Sequence, residues 1–155
     1  MSEQFDVQKA LKVAIQTEKD AMDFYRLGAA QMADAKARET FEILSRDEKQ
    51  HALMFYNAYQ GRDLPPFEQY IQAPPNQDSS WWKALQQMLL GDFDERKALE
   101  LAIEQEELLE RELRVIAKQI ADPAIRAIYE ANASSTHGHS ILIGEDYKAL
   151  FGQSR

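Results

Sequence analysis

Residues 10–51 reappear, altered but in register, as residues 98–139 of this 155-residue chain. Sliding the sequence by 88 positions lays ALKVAIQTE (Ala10–Glu18) on ALELAIEQE (Ala98–Glu106) and QMAD (Gln31–Asp34) on QIAD (Gln119–Asp122). Without a gap, 13 of the 42 paired positions are identical. Two copies make a duplicated unit and not a solenoid, because a solenoid needs at least three repeats to bury its stacked faces. Whatever structure one half adopts, the other half must adopt too.

Each half reads as a helix hairpin. Leu11, Ile15, Met22 and Tyr25 mark one stripe at helical spacing, predicting a helix from about Asp6 to Met32. A second helix starts after the N-cap Asp34 and runs to about Tyr59. The connection is too short for anything but antiparallel neighbours. In the copy, a helix runs from Asp92–Glu95 to Ile120. The next opens on Asp122–Pro123, with proline at its first position, and reaches about Ile143, where Gly144 ends or kinks it. Between the halves, Gly61–Asp78 holds four of the five prolines and cannot be a long helix. SSWWKALQQMLLG inside this crossover has the pattern of a short capped amphipathic helix, with Trp81, Leu85, Met88 and Leu89 on one side. That stripe caps the bundle or makes a dimer contact. No strand signal competes. The expectation is a single all-α domain over residues 1–155: hairpin 6–59, crossover 60–92 with its short helix, hairpin 93–143 and a C-terminal segment 144–155. It is a four-helix bundle of the ferritin-like kind.

The seams of this bundle carry groups that a core should reject. Phe41, Leu44, Glu48, His51 and Phe55 form one stripe. Glu18 interrupts the first helix's stripe, and the shift carries it to Glu106; His51 maps to His139. Glu18, Glu48, His51, Glu106 and His139 are therefore expected to face one another inside. Residues three apart share a helix face, so Glu48 and His51 reach one point. An uncompensated buried carboxylate costs several kcal/mol, and three in one layer repel. Buried basic groups, protonation or a metal can offset them. Apart from the histidines the seams supply no basic side chain, and protonating three glutamates would consume most of a small domain's stability, roughly 5–15 kcal/mol. Carboxylate oxygen and imidazole nitrogen suit a divalent metal.

One glutamate on the first and third helices, with E-x-x-H on the second, resembles the rubrerythrin-like branch of the ferritin superfamily over roughly residues 5–143. The resemblance implies Glu18, Glu48, His51, Glu106 and His139 as ligands of a carboxylate-bridged di-iron centre. Family members oxidise ferrous iron or reduce peroxide or dioxygen there. The fourth helix departs from the pattern: SSTHGHSILI puts Thr136 where the shift expects a glutamate, giving Thr136-x-x-His139. Three glutamates leave two divalent ions with one uncompensated positive charge in a low-dielectric interior. The remedies are a hydroxide or oxide bridge, one metal instead of two, or a substitute carboxylate. Glu110, one turn after Glu106 and matched to Met22, is the candidate substitute, since helical side chains lean toward the N-terminus. His137 lies off the seam. Tyr25 and Tyr129 are core residues or electron relays. Three functions remain open: a di-iron oxidoreductase, a non-redox bundle storing one iron, zinc or manganese ion, and a scaffold with a degenerate site.

Composition narrows the partners. With no cysteine there are no disulfides, thiolate metal sites, iron–sulfur clusters or cysteine nucleophiles. Rubrerythrins also carry a cysteine-bound iron module, so the resemblance implies an external electron donor here. A net charge of -8 opposes nucleic-acid binding, which needs a basic face. No apolar run approaches the roughly 20 residues that span a bilayer. MSEQFDVQKA lacks the basic start and apolar stretch of a secretory signal, so a cytoplasmic location is expected; the expected assembly is a homodimer, since a larger cage would need outer-face contacts.

Overall fold

The computed structural model describes residues 5–152, and the outermost parts of the expected domain, 1–4 and 153–155, lie outside the described residues. Among the described residues six helices run in chain order: α1 (Val7–Ala29), α2 (Ala35–Ala58), α3 (Phe67–Gln72), α4 (Ser80–Leu89), α5 (Glu95–Ala117) and α6 (Pro123–Phe151). Among the described residues there is no strand, and no helix is long and apolar enough to cross a membrane. α1 packs along α2, α5 along α6, and the two hairpins meet through α2 and α6. This is the ferritin-like helical bundle expected from the duplicated seams.

The repeat is visible in atomic detail. Asp6 and Asp94, 88 residues apart, cap α1 and α5 by accepting the backbone N–H of Lys9 and of Lys97. Asp34 and Asp122 cap α2 and α6 in the same way. Each satisfies donors that a helix start leaves orphaned. Arg38 donates from Nε and Nη2 to the carbonyl of Met32, and its copy Arg126 donates to the carbonyls of Ile120 and Ala121. Identical residues in the two copies thus staple identical turns. Gly28 has no counterpart glycine; a Cβ there would come within 3.0 Å of the Phe41 ring, so its absence lets α1 and α2 close.

The crossover lies over the outer side of the bundle. α4 contacts both α1 and α5. Trp81, Leu85 and Met88 are buried, and the Trp81 ring stands 5.2 Å from Phe24 and 5.7 Å from Tyr25. The apolar stripe of α4 therefore covers the bundle, while Leu89 and Leu90 face outward. α3 is a single short turn of helix that the proline-rich sequence did not announce. Its neighbourhood is tied to α1: Tyr70 donates to Gln16, and the buried Lys19 bonds Asp23 at 2.7 Å and the carbonyl of Pro74 at 3.5 Å.

One boundary differs from expectation. α6 does not end or break at Gly144 but continues to Phe151, with Gly152 at φ 78° as its C-cap. Contacts made just beyond the glycine hold residues 144–151 in the helix. Thr40 donates to the buried Asp146, and the Tyr147 hydroxyl sits between Arg96 Nε (2.9 Å) and Glu100 Oε1 (2.7 Å). Tertiary anchoring of this kind offsets the roughly 1 kcal/mol that a mid-helix glycine costs relative to alanine.

Candidate metal centre

The seam positions bring Glu18 from α1, Glu48 and His51 from α2, Glu106 from α5 and His139 from α6 into one buried cluster. The three glutamates are at most 1% exposed. Candidate ligand atoms form two triads, Glu18–Glu48–His51 and Glu48–Glu106–His139, with the atoms of each within 4.8 Å of one another. Glu48 belongs to both. His51 Nδ1 is 3.5 Å from Glu48 Oε2 and 3.6 Å from Glu18 Oε2; His139 Nδ1 is 3.0 Å from Glu48 Oε1 and 3.5 Å from Glu106 Oε1. The two imidazole rings lie nearly parallel, 10° apart in plane and 5.5 Å between centroids.

Close approach here is not hydrogen bonding. Both oxygens of Glu18 and Glu48, Oε2 of Glu106 and Nδ1 of each histidine are buried with no hydrogen-bond partner. Such orphaning is rare, because each buried polar atom left unpaired costs about 1–3 kcal/mol and more when charged. The atoms converge on shared points between them instead of on each other. That is the arrangement a cation satisfies, and the donor set, hard carboxylate oxygen with neutral imidazole nitrogen, fits a divalent ion such as iron, zinc or manganese.

Supporting contacts orient the donors. His139 donates from Nε2 to the carboxylate of Asp47 (3.2 Å), and His51 Nε2 meets Ser135 Oγ at 3.0 Å. With Nε2 engaged on the far side, each ring presents Nδ1 to the cluster. Tyr25 donates its hydroxyl to Glu106 Oε1 at 2.5 Å. Asn132 donates to the carbonyl of Ile128 (2.7 Å), leaving its Oδ1 buried and unpartnered, as are the hydroxyls of Thr136 and Tyr129.

The electrostatics arise from burial and crowding. Burial and the neighbouring Glu48 charge hold Glu18 well above the ordinary carboxylate range. The same two causes push Glu106 up to about 7. Burial would raise Glu48 as well, but Glu18 and the two imidazoles beside it outweigh burial and hold its carboxylate well below the usual range. Burial opposes charge on the histidines, yet Glu18 and Glu48 raise His51 to about 10, and Glu106 and Glu48 raise His139 to about 11. Without metal, protons carry the positive charge; a metal must displace them.

Glu110 corrects the sequence reading. Its carboxylate is not in the cluster: Oε2 accepts from Arg114 at 2.8 Å and Oε1 meets His137 Nδ1 at 2.9 Å. A step of four residues rotates a side chain about 40° around the helix, enough to carry residue 110 from the seam to its edge. Asp47, Ser135 and the Tyr25–Glu106 bond were not anticipated. Tyr25 lies two turns beyond Glu18 on the same stripe, which was a usable signal; the partners of the histidines depend on the register between α2 and α6, which one sequence does not supply.

Fold and donors together define a ferritin-like bundle with carboxylate–histidine groups able to hold metal. The chain matches the family model Rubrerythrin over residues 9–140, and it belongs to that family. The comparison with curated proteins gives no match, and neither does the comparison with solved structures.

Proposed function

We propose that this chain binds two metal ions, iron foremost, through Glu18, Glu48, His51, Glu106 and His139, and acts as a non-haem di-iron oxidoreductase. The substrates would be peroxide, dioxygen or ferrous iron. The observation that carries this reading is Glu48, whose two orphaned oxygens face one histidine each (Oε2 toward His51, Oε1 toward His139). A carboxylate so placed is suited to bridge two ions. When bound, an iron pair supplies one-electron steps between ferrous and ferric states.

The chain's own residues set the conditions for that chemistry. Glu18 and Glu106 each serve one side of the shared Glu48. The Nε2 contact to the Asp47 carboxylate keeps His139 in the tautomer that ligates through Nδ1, and the Ser135 contact holds the His51 ring with Nδ1 toward the cluster. The Tyr25 hydroxyl donates to Glu106 Oε1, and burial raises that phenol well above its ordinary pKa, so the proton stays on the tyrosine and the bond fixes the orientation of Glu106. Ile15, Leu44, Phe55 and Leu109, each about one helical turn from a donor on its own helix, are buried with the donors. A trough of about 550 Å³ between α1 and α5, walled by Ala10, Val13, Ala14, Leu109 and Leu113, includes Glu18 in its lining.

Anaerobic loading with ferrous iron, then exposure to peroxide or air, tests the proposal. A ferric absorption band and consumption of the oxidant are expected; metal-loaded protein that gives neither result contradicts it. Thr136 favours a second reading, a single non-redox ion, because only three carboxylates are present to neutralise charge. One ion per chain by elemental analysis, with no oxidation, would select it.

A further inference from the structure

Thr136 occupies the position that the 88-residue shift matches to Glu48, and it is fully buried. A helical threonine has a ready partner in the carbonyl four residues back, and Thr17 uses it, donating to Val13 at 3.0 Å. Thr136 does not: its Oγ1 is buried without any partner. One turn earlier on the same face, Asn132 leaves Oδ1 unpartnered as well. Thr136 itself stands one turn before His139 on the same face of α6, and the two triads, one of them containing His139, carry three glutamates. Two divalent ions there would retain one positive charge, and Asp47, half exposed behind the His139 ring, is screened by solvent.

Resting on the di-metal reading, we infer that the Thr136 position is a seat for a small external carboxylate-type oxyanion, of the size of formate or hydrogencarbonate, that replaces the missing glutamate. The shape argument is direct. Threonine stops where a glutamate would go on to its carboxylate, and the part left out is a formate. The Thr136 hydroxyl donates to the anion, while Asn132 Oδ1, an acceptor, favours an oxyanion that also carries an O–H. The anion supplies the fourth negative charge and a ligand oxygen to the ion pair. The chain thereby makes tight loading of its second ion depend on a solute and not on its own sequence.

Anaerobic equilibrium dialysis against ferrous iron or cobalt(II) in carbonate-free buffer tests this, with formate, hydrogencarbonate or no oxyanion added. The unsubstituted chain should bind its second ion at least about tenfold more tightly with an oxyanion, about 1.4 kcal/mol. Hydrogencarbonate outperforming formate would identify the O–H-bearing anion; formate doing as well would assign the seat to the carboxylate alone. Thr136→Glu should bind two ions with no anion dependence, and Thr136→Val should lose the anion effect while keeping its helical circular dichroism. In the zinc-loaded protein, carbon-13 formate should show a bound resonance that Thr136→Val lacks. Equal second-ion affinity with and without oxyanion in the unsubstituted chain overturns the seat and leaves the di-metal reading standing. Failure to bind any ion under all conditions overturns both.

Discussion

The two hairpins share an ancestor's plan and divide its chemistry unequally. α1–α2 supplies Glu18, Glu48 and His51, a full triad by itself; α5–α6 supplies only Glu106 and His139 and must borrow Glu48 to complete its own. The same inequality extends outward. Tyr25 reaches from the first hairpin to Glu106 of the second, whereas its own copy, Leu113, is apolar. The Asp47 that orients His139 also comes from the first hairpin. Where the copies have stayed alike they preserve architecture, in the caps Asp6/Asp94 and Asp34/Asp122 and the turn staples Arg38/Arg126. Where they have diverged, one half has become the donor and the other the recipient.

The sharpest way to break this comparison is to remove the shared group. Glu48→Gln should abolish binding of both ions, whereas Glu106→Gln should weaken only the ion next to His139; metal content per chain measures both. If the halves were independent, Glu48→Gln would spare the second-hairpin ion.

Metal removal should come next in size. An ion held at 1,000 times its Kd stabilises the folded state by about 4 kcal/mol, so chelation should lower the Tm by several degrees, read by circular dichroism. The effect should grow with pH. In the metal-free protein His51 and His139 are raised to about 10 and 11 from an ordinary 6.5, so their contribution to stability is complete below pH 6.5 and is lost as pH climbs toward 10. Glu18, also raised, acts in the same direction. Metal binding needs those groups deprotonated and strengthens as pH climbs. Thermal melts between pH 6.5 and 9 should therefore show metal-free and metal-loaded curves diverging; parallel curves would argue against proton displacement.

A smaller effect separates the two histidines. Asp47→Ala should weaken the ion beside His139 by about 10- to 100-fold, as loss of such supporting contacts typically does. Ser135→Ala should act on the ion beside His51, and less strongly, since a neutral hydroxyl is the weaker partner. Competitive titration against a chelator of known affinity would rank them. The smallest effect belongs to Glu110→Gln, which loses an edge contact to Arg114 and His137 worth about 0.2–1 kcal/mol and leaves metal content unchanged.

Much of this was legible in the sequence because duplication doubles every signal. A stripe interrupted by Glu18 gains meaning when Glu106 interrupts its copy, and His51 when His139 does. The caps at Asp34 and Asp122–Pro123 were readable because capping is local chemistry. What stayed hidden depended on contacts between distant segments. Gly144 looks like a stop until Asp146 and Tyr147 are seen anchored to α2 and α5. Glu110 looks like a seam residue until the rotation of α5 carries it to Arg114 and His137. The histidine partners Asp47 and Ser135 are 92 and 84 residues away in sequence. No local pattern encodes them.

The central claim is that the orphaned oxygens and nitrogens around Glu48 exist to hold cations. Anaerobic titration of metal-stripped protein with ferrous iron, followed by elemental analysis after gel filtration, measures this most directly. Two ions retained per chain in the presence of a small oxyanion is the result predicted. Protein that emerges free of metal, with its stability unchanged by the titration, would contradict it.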